Sequence, residues 1–151
     1  MKNHEVFSSP LGNIRVDFEG GAVTGLTFTS EECTAVNSGV VMLVQWQLTE
    51  YFAGERREFD FPCVLRGTDF QTRVWQALCE IPYGETRSYG QIAAQIGSPG
   101  AARAVGMANH NNPICIAVPC HRVIGADGSA IGYACGVEIK KKLLELEQKY
   151  R

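Results

Sequence analysis

The sequence predicts an α+β protein: a small N-terminal α/β domain followed by a mainly helical domain with a helix-turn-helix. Three observations carry that prediction. Apolar residues alternate on either side of a glycine pair near the start, two helix-capping boxes punctuate the second half, and the sign of the charge changes between the halves. At 151 residues and 45% hydrophobic, the chain is long enough to build its own core. A chain of this size buries roughly two-thirds of its unfolded surface, so it needs no disulfide or metal staple to fold. No apolar run approaches the ~18 residues of a membrane span, and the start MKNHEVFSSPLG lacks the apolar centre of a signal peptide, so a cytoplasmic protein is expected.

In chain order, Ile14, Val16 and Phe18 alternate with Arg15 and Asp17, Gly20-Gly21 makes the turn, and Leu26 and Phe28 continue on the return strand. Val41, Val44, Leu48 and Tyr51 then recur at helical spacing and stop at Gly54. These features place a first domain over residues 1–60, a polar, Pro-containing linker over 61–69, and a second domain over 70–151. Thr68 and Gln71 form a capping box opening a helix that carries Phe70, Val74, Leu78 and Ile81 on one face and ends at Pro82 and Gly84. Ser88 and Gln91 form a second box, for a short helix with Ile92 and Ile96 inward and Gly97 as its stop. Ser98 and Pro99 are expected to cap and begin a third helix running to about Asn109, and the tight turn between the two is the helix-turn-helix signature.

That third helix is built of Ala101, Ala102, Ala104, Gly106 and Ala108, with Arg103 as its one long cation. So little bulk suits close approach, either to another helix or to a nucleic acid. Asn112-Pro113 breaks the helix, and Ile114 to Val118, apolar and partly β-branched, is expected to be a buried strand or extended segment. Ile124 to Gly136 is expected as a Gly-rich loop and Val137 to Tyr150 as a final helix, with Ile139, Leu143, Leu146 and Tyr150 as its buried stripe. Glu147 lies at the edge of that stripe, where a carboxylate needs a partner, and Lys140 lies at a similar angle.

The formal charge of −2 discourages a nucleic-acid partner until the chain is divided. Residues 1–66 sum to −4 and residues 67–151 to +2, and the 41 residues from Thr86 to Ala126 contain no carboxylate. Such a stretch fits a face that approaches a polyanion, and equally a small-residue core segment. The six cysteines form no CxxC pair and the three histidines no HxxxH, so no metal and no cofactor is expected. Cys79 and Cys115 are expected to be buried as small hydrophobes.

Cys120 differs because of its neighbours. A thiol attacks as its thiolate, and an activated cysteine needs a base. His121 follows it directly, but adjacent side chains of an extended chain point to opposite faces, so either the chain turns here or a water carries the proton. Glu147, packed against this segment, would orient the imidazole.

Pro119-Cys120-His121-Arg122-Val123 closely resembles the active-site signature of the O6-alkylguanine-DNA alkyltransferases. Tyr51-Phe52-Ala53-Gly54, Gly67 to Gln71, Ile81-Pro82-Tyr83-Gly84, Ser88-Tyr89-Gly90, Ala101 to Gly106, Asn112-Pro113 and Leu143-Leu144 with Glu147 are similar to the family's landmarks, in order. The resemblance covers about residues 50–150. It implies repair by a monomer acting once, moving an alkyl group from guanine O6, less readily thymine O4, of duplex DNA onto Cys120. His121 would be the base through water, Glu147 its partner, Tyr89 a donor to the departing guanine, and Asn112 the tie that holds the cysteine loop. The base would be flipped out through the minor groove, with Arg103 inserted in its place and Ala102 and Gly106 keeping the recognition helix slim. Gly90 and Ser98 would hold phosphates, and Gln71 would add a backbone contact. The sequence departs from the family at Tyr133-Ala134-Cys135-Gly136, where two consecutive glycines are usual, which narrows the expected pocket and puts a second thiol near the first. Two other readings compete. A DNA-binding lesion sensor would lack the cysteine, and a cysteine hydrolase would need an oxyanion hole that the sequence does not display.

Overall fold

The computed structural model describes residues 3–128, 133 and 135–151. The chain divides into two compact units, Met1–Leu65 and Arg66–Arg151, and the architecture is mixed α+β.

In the first unit, β1 (Asn3–Phe7), β2 (Ile14–Glu19) and β3 (Ala22–Phe28) form an antiparallel meander. The expected hairpin is β2–β3. β1 escaped the sequence reading because only Val6 and Phe7 of its five residues are buried, too short an alternation to register. Helix α1 (Gly39–Phe52) packs on β2 and β3 through Val40, Val41, Val44, Leu48 and Tyr51, which share a core with Ile14, Val16, Val23 and Leu26. Its end is a Schellman motif: Gly54 N–H donates to Tyr51 O at 3.1 Å and Glu55 N–H to Glu50 O at 2.8 Å. Pairing continues past residue 60, because Val23 N–H donates to Pro62 O and Val64 N–H to Val23 O, both at 2.8 Å.

The second unit contains α2 (Asp69–Leu78), α3 (Tyr89–Gln95), α4 (Ala102–His110) and α5 (Val137–Lys149). Both predicted capping boxes are formed, Thr68 with Gln71 and Ser88 with Gln91. Helices α2, α3 and α4 pack on one another, and Trp75 Nε1–H ties α2 to α4 by donating to Ala108 O at 2.9 Å. Gly67 sits so close beneath that indole that a Cβ would fall 2.6 Å from Trp75 Cη2. Strand β4 (Arg87–Ser88) pairs in parallel with β5 (Val123–Ile124), so the start of α3 lies beside the segment leaving Cys120.

Five expectations need correction. Helix α2 ends at Leu78 rather than at Pro82, and Ile81 is buried beyond its end. Helix α4 begins at Ala102, with Ala101 rather than Ser98 at its N-cap. Ser98 is used to close α3 instead: its N–H donates to Ala93 O at 2.9 Å and Gly97, at φ +80°, donates to Ala94 O at 3.1 Å, another Schellman end. Residues 114–118 are not extended. Val118 N–H donates to Ile114 O and Ala117 N–H to Cys115 O, and Ile116 adopts a φ of +70°, costly for a β-branched residue. Cys79 is exposed, not buried, although Cys115 is buried as expected. On α5 the fully buried positions are Lys140, Leu143 and Glu147, while Ile139, Leu146 and Tyr150 are half-buried. The Gly-rich loop expected from Ile124 to Gly136 lies partly outside the described residues, Ala134 among them.

Candidate active site

Cys120, His121 and Arg122 form a single 3-10 turn directly after Pro119. In a helix of 3.0 residues per turn successive side chains diverge by about 120°, not the 180° of an extended strand, so the chain does turn at the cysteine. Asn112 builds the approach to this turn. Its side-chain N–H groups donate to Val118 O at 2.9 Å and Ile114 O at 3.2 Å, while its oxygen accepts from Ile114 N–H at 3.1 Å. These bonds replace the ladder that a strand over 114–118 would have used, which is why an apolar run folds as turns. They also offset the strain at Ile116, and such strain is stored where function requires a fixed backbone.

Helix α5 brings Glu147, 1% exposed, against the turn. His121 Nε2–H donates to Glu147 Oε2 at 2.6 Å. Arg122 forks onto the same carboxylate, Nε–H to Oε1 at 2.8 Å and Nη2–H to Oε2 at 3.0 Å, and donates a third bond to Ile81 O at 2.8 Å. Gly84, at φ +78°, turns its N–H to Glu147 Oε1 at 3.1 Å, and Gln148 Nε2–H donates back to Gly84 O at 2.8 Å. A side chain at Gly84 would strain this left-handed turn.

The electrostatics fix the tautomer. Burial pushes the Glu147 carboxyl up, but the hydrogen bond from His121 and the Arg122 guanidinium outweigh it and hold the carboxyl far below its ordinary range. An ionised carboxylate only accepts, so the proton shared with it sits on His121 Nε2 and the neutral ring presents a bare Nδ1. That nitrogen is buried and has no hydrogen-bond partner among the described residues. Burial lowers the His121 pKa, Glu147 opposes this, and Arg122 and Lys140 lower it further, so the ring rests neutral and able to take a proton.

Tyr89, the first residue of α3, is half-buried against α4, where a Cβ on Gly106 would lie 3.8 Å from its ring. Burial raises the Tyr89 pKa and the charge of Cys120 adds to it, so the phenol keeps its proton beside the thiol. Lys140 Nζ lies 5.8 Å from the Tyr89 ring centre and donates to Val123 O. Its own pKa is lowered to about 8 by burial, with Cys120 opposing.

The structure therefore gathers Cys120, His121, Glu147 and Tyr89, with Asn112 behind them. Arg103 is exposed on α4, where Ala104, Met107 and His110 also face outward, and Met107 is 63% exposed. Gly90 is exposed at the start of α3, and Ser98 and Ala102 are half-buried. The side-chain oxygen of Gln71 is committed to Thr68 N–H at 3.0 Å. The sequence reading missed three participants. Arg122 was legible only as part of a motif, Lys140 only as the edge of a stripe, and Asn109, whose side chain donates to Cys120 O at 3.2 Å, only as the end of the third helix. Among the described residues no group of three or more His, Cys, Asp or Glu is placed to hold a metal ion, and no helix is long and apolar enough to cross a membrane.

Comparison with known proteins adds three findings. A family profile described as "6-O-methylguanine DNA methyltransferase, DNA binding domain" matches residues 69–149. Proteins named methylated-DNA–protein-cysteine methyltransferase are 51% identical in Mycobacterium tuberculosis, over 98% of this chain and 93% of that protein, and 62% identical in Methanosarcina acetivorans, over 95% and 97%. A crystal structure of Mycobacterium tuberculosis OGT in complex with DNA matches with a TM-score of 0.90 at 51% identity, covering 97% of this chain and 93% of that one.

Proposed function

Because the chain belongs to the 6-O-methylguanine DNA methyltransferase family, we propose that the cluster around Cys120 is where it performs the family's repair reaction. The protein repairs DNA by transferring an alkyl group to its own cysteine, once per molecule. Cys120 is the acceptor and O6-alkylguanine in duplex DNA the substrate, with thymine O4 a poorer one.

The observation that supports this reading best is the buried His121–Glu147 pair at 2.6 Å, which leaves His121 Nδ1 as a buried base one residue from the thiol. His121 takes the thiol proton through a water, and the resulting imidazolium is held by Glu147. The thiolate attacks the alkyl carbon, the carbon–O6 bond breaks, and a thioether forms. Negative charge developing on the departing guanine takes a proton or hydrogen bond from Tyr89. A thioether has no easy route back to the thiol, which accounts for a single turnover.

A lesion stacked inside a duplex does not reach a buried thiol, so the base is flipped out at a cost of a few kcal/mol. The α3–turn–α4 unit acts as the helix-turn-helix, with α4 in the minor groove and Arg103 filling the vacated stack. Ala102 and Gly106 keep the helix slim, while Gly90, Ser98 and Gln71 are contacts to the phosphate backbone. The protein works as a cytoplasmic monomer without a cofactor.

The test is to incubate the intact chain with excess duplex carrying O6-methylguanine and weigh it. One methyl on Cys120, halting at one equivalent and absent from Cys120→Ala, is expected. Protein that binds the duplex and stays unmodified would instead be a lesion sensor, and modification elsewhere would overturn the assignment of Cys120.

A further inference from the structure

Two thiols gather around the proposed acceptor. Cys115 Sγ and Cys135 Sγ lie 3.6 Å apart, and the Cys115 thiol also hydrogen-bonds Cys120. The buried Tyr133 phenol, raised by burial first, feels the charge of all three. Their exposure differs: Cys120 is 0% and Cys115 1% exposed, whereas Cys135 is half-buried and is the one that solvent reaches. Cys135 is also where the sequence departs from the resemblance, standing at a position expected to be glycine.

We propose that Cys115 and Cys135 are a peroxide-reactive dithiol, closing into a disulfide that takes up oxidising equivalents beside Cys120 and leaves Cys120 reduced. This rests on the reading of Cys120 as the acceptor only for its consequence, not for its chemistry. Cys135 meets the peroxide first because it is the accessible thiol. It gives up its proton, its thiolate attacks one peroxide oxygen, the O–O bond breaks, and the departing hydroxide leaves as water, making Cys135 a sulfenic acid. The Cys115 sulfur then attacks that sulfur, the S–O bond breaks, and the hydroxyl leaves with the Cys115 proton as a second water. Two thiols and one hydrogen peroxide thus give one disulfide and two waters.

The geometry suits the order of events. The pair closes from 3.6 Å to the roughly 2.05 Å of a disulfide, within reach of side-chain rotation. The hydrogen bond to Cys120, with burial adding to it, raises the Cys115 thiol against a lowering by Cys135, so Cys115 is a poor first attacker and a well-placed second. The bond would join the turns before Cys120 to the residue two before α5, stiffening the frame that holds Glu147 opposite His121.

The experiment treats the intact chain with hydrogen peroxide, blocks remaining thiols with an alkylating agent, and maps the peptides. A linked Cys115–Cys135 peptide is expected, with Cys120 alkylated by the blocking agent and methyl uptake from O6-methylguanine duplex close to that of untreated protein. In Cys135→Ser, one equivalent of peroxide should abolish uptake at least about threefold faster, because the oxidant is no longer diverted. A disulfide that includes Cys120, sulfinic acid on Cys120 with Cys135 still a thiol, or equal inactivation rates in the two proteins would overturn the proposal. The mapping needs no variant, so it stands even if Cys135→Ser folds poorly. Untreated protein that takes no methyl at Cys120 would sink the acceptor reading while leaving the mapped disulfide to decide the dithiol.

Discussion

Both units carry exposed ion pairs, the second between Arg87 and Glu85, but they differ in what else they do with charge. In the first, ion pairs sit where water reaches them: Arg15 pairs with Asp17 at 2.9 Å and Glu31 at 2.8 Å, and Arg56 with Glu50 at 2.8 Å, with every one of these side chains at least one-fifth exposed. In the second, Glu147 holds His121 and Arg122 with all three nearly sealed from solvent. Exposed pairs are screened and contribute little, whereas a buried network first costs the desolvation of each ion. Apolar side chains of the same volume would serve a core that only had to be stable. A buried network built around one histidine is therefore read as serving proton transfer, and the contrast between the units can be broken or sharpened by substitution.

The largest effect is expected at Glu147. Glu147→Ala leaves the Arg122 guanidinium, the Gly84 N–H and His121 without their shared acceptor, and breaking a buried pair costs about 3–5 kcal/mol. Urea denaturation would measure it, and a loss under 1 kcal/mol would mean that water enters the site freely. Glu147→Gln keeps the shape but not the charge that stabilises the imidazolium. Methyl transfer should slow by about a hundredfold in single-turnover kinetics, with duplex binding unchanged.

Acid comes next. Glu147 is held far below its ordinary 4.5 and His121 below its ordinary 6.5. In both cases the unfolded chain binds more protons than the native one, so stability is full above the unfolded values and is lost as pH falls. The loss should start below about pH 6.5 through His121 and steepen below about 4.5 through Glu147. In Glu147→Gln the lower segment should flatten, and an unchanged acid limb would place the sensitivity elsewhere.

Arg103 probes the exposed face of the second unit. Arg103→Ala should leave stability within about 0.5 kcal/mol, as for most surface substitutions. It should slow transfer from duplex by about tenfold or more while sparing transfer from the free modified base, because only the duplex has to be opened. Equal slowing on both substrates would remove Arg103 from the flipping step.

What could be read from the sequence follows the range of the interactions. The capping boxes at Thr68 and Ser88 were legible because a box is complete within four residues. The β2–β3 hairpin was legible because its strands are adjacent in the chain and meet across Gly20-Gly21. Cys120, His121 and Glu147 were legible as a motif and a misplaced carboxylate, but the fork from Arg122 was not, since nothing local tells a buried arginine from a solvated one. The run from Ile114 to Val118 reads as a strand because composition reports burial, and burial does not distinguish a ladder from turns pinned by Asn112. The start of α4 was misplaced because Ser98-Pro99 makes a good helix opening in isolation, while its amide is needed to close the helix before it.

The smallest effect, and the control for the whole contrast, is expected at the Arg56–Glu50 pair of the first unit. Arg56 lies 5.5 Å above the Trp46 ring as well as 2.8 Å from Glu50, and the Trp46 side is open, at 56% exposure. With the two charged side chains 22% and 27% exposed, water competes for both, so a double-mutant cycle of Arg56→Ala and Glu50→Ala should give a coupling of roughly 0.2–1 kcal/mol. Raising the salt concentration should shrink it further, since exposed charges are screened over a Debye length of about 10 Å at 0.1 M. Methyl transfer should not change. A coupling above about 2 kcal/mol that resists salt would mean this pair is as desolvated as the one at Glu147. Burial of charge would then no longer mark the second unit as the seat of the chemistry.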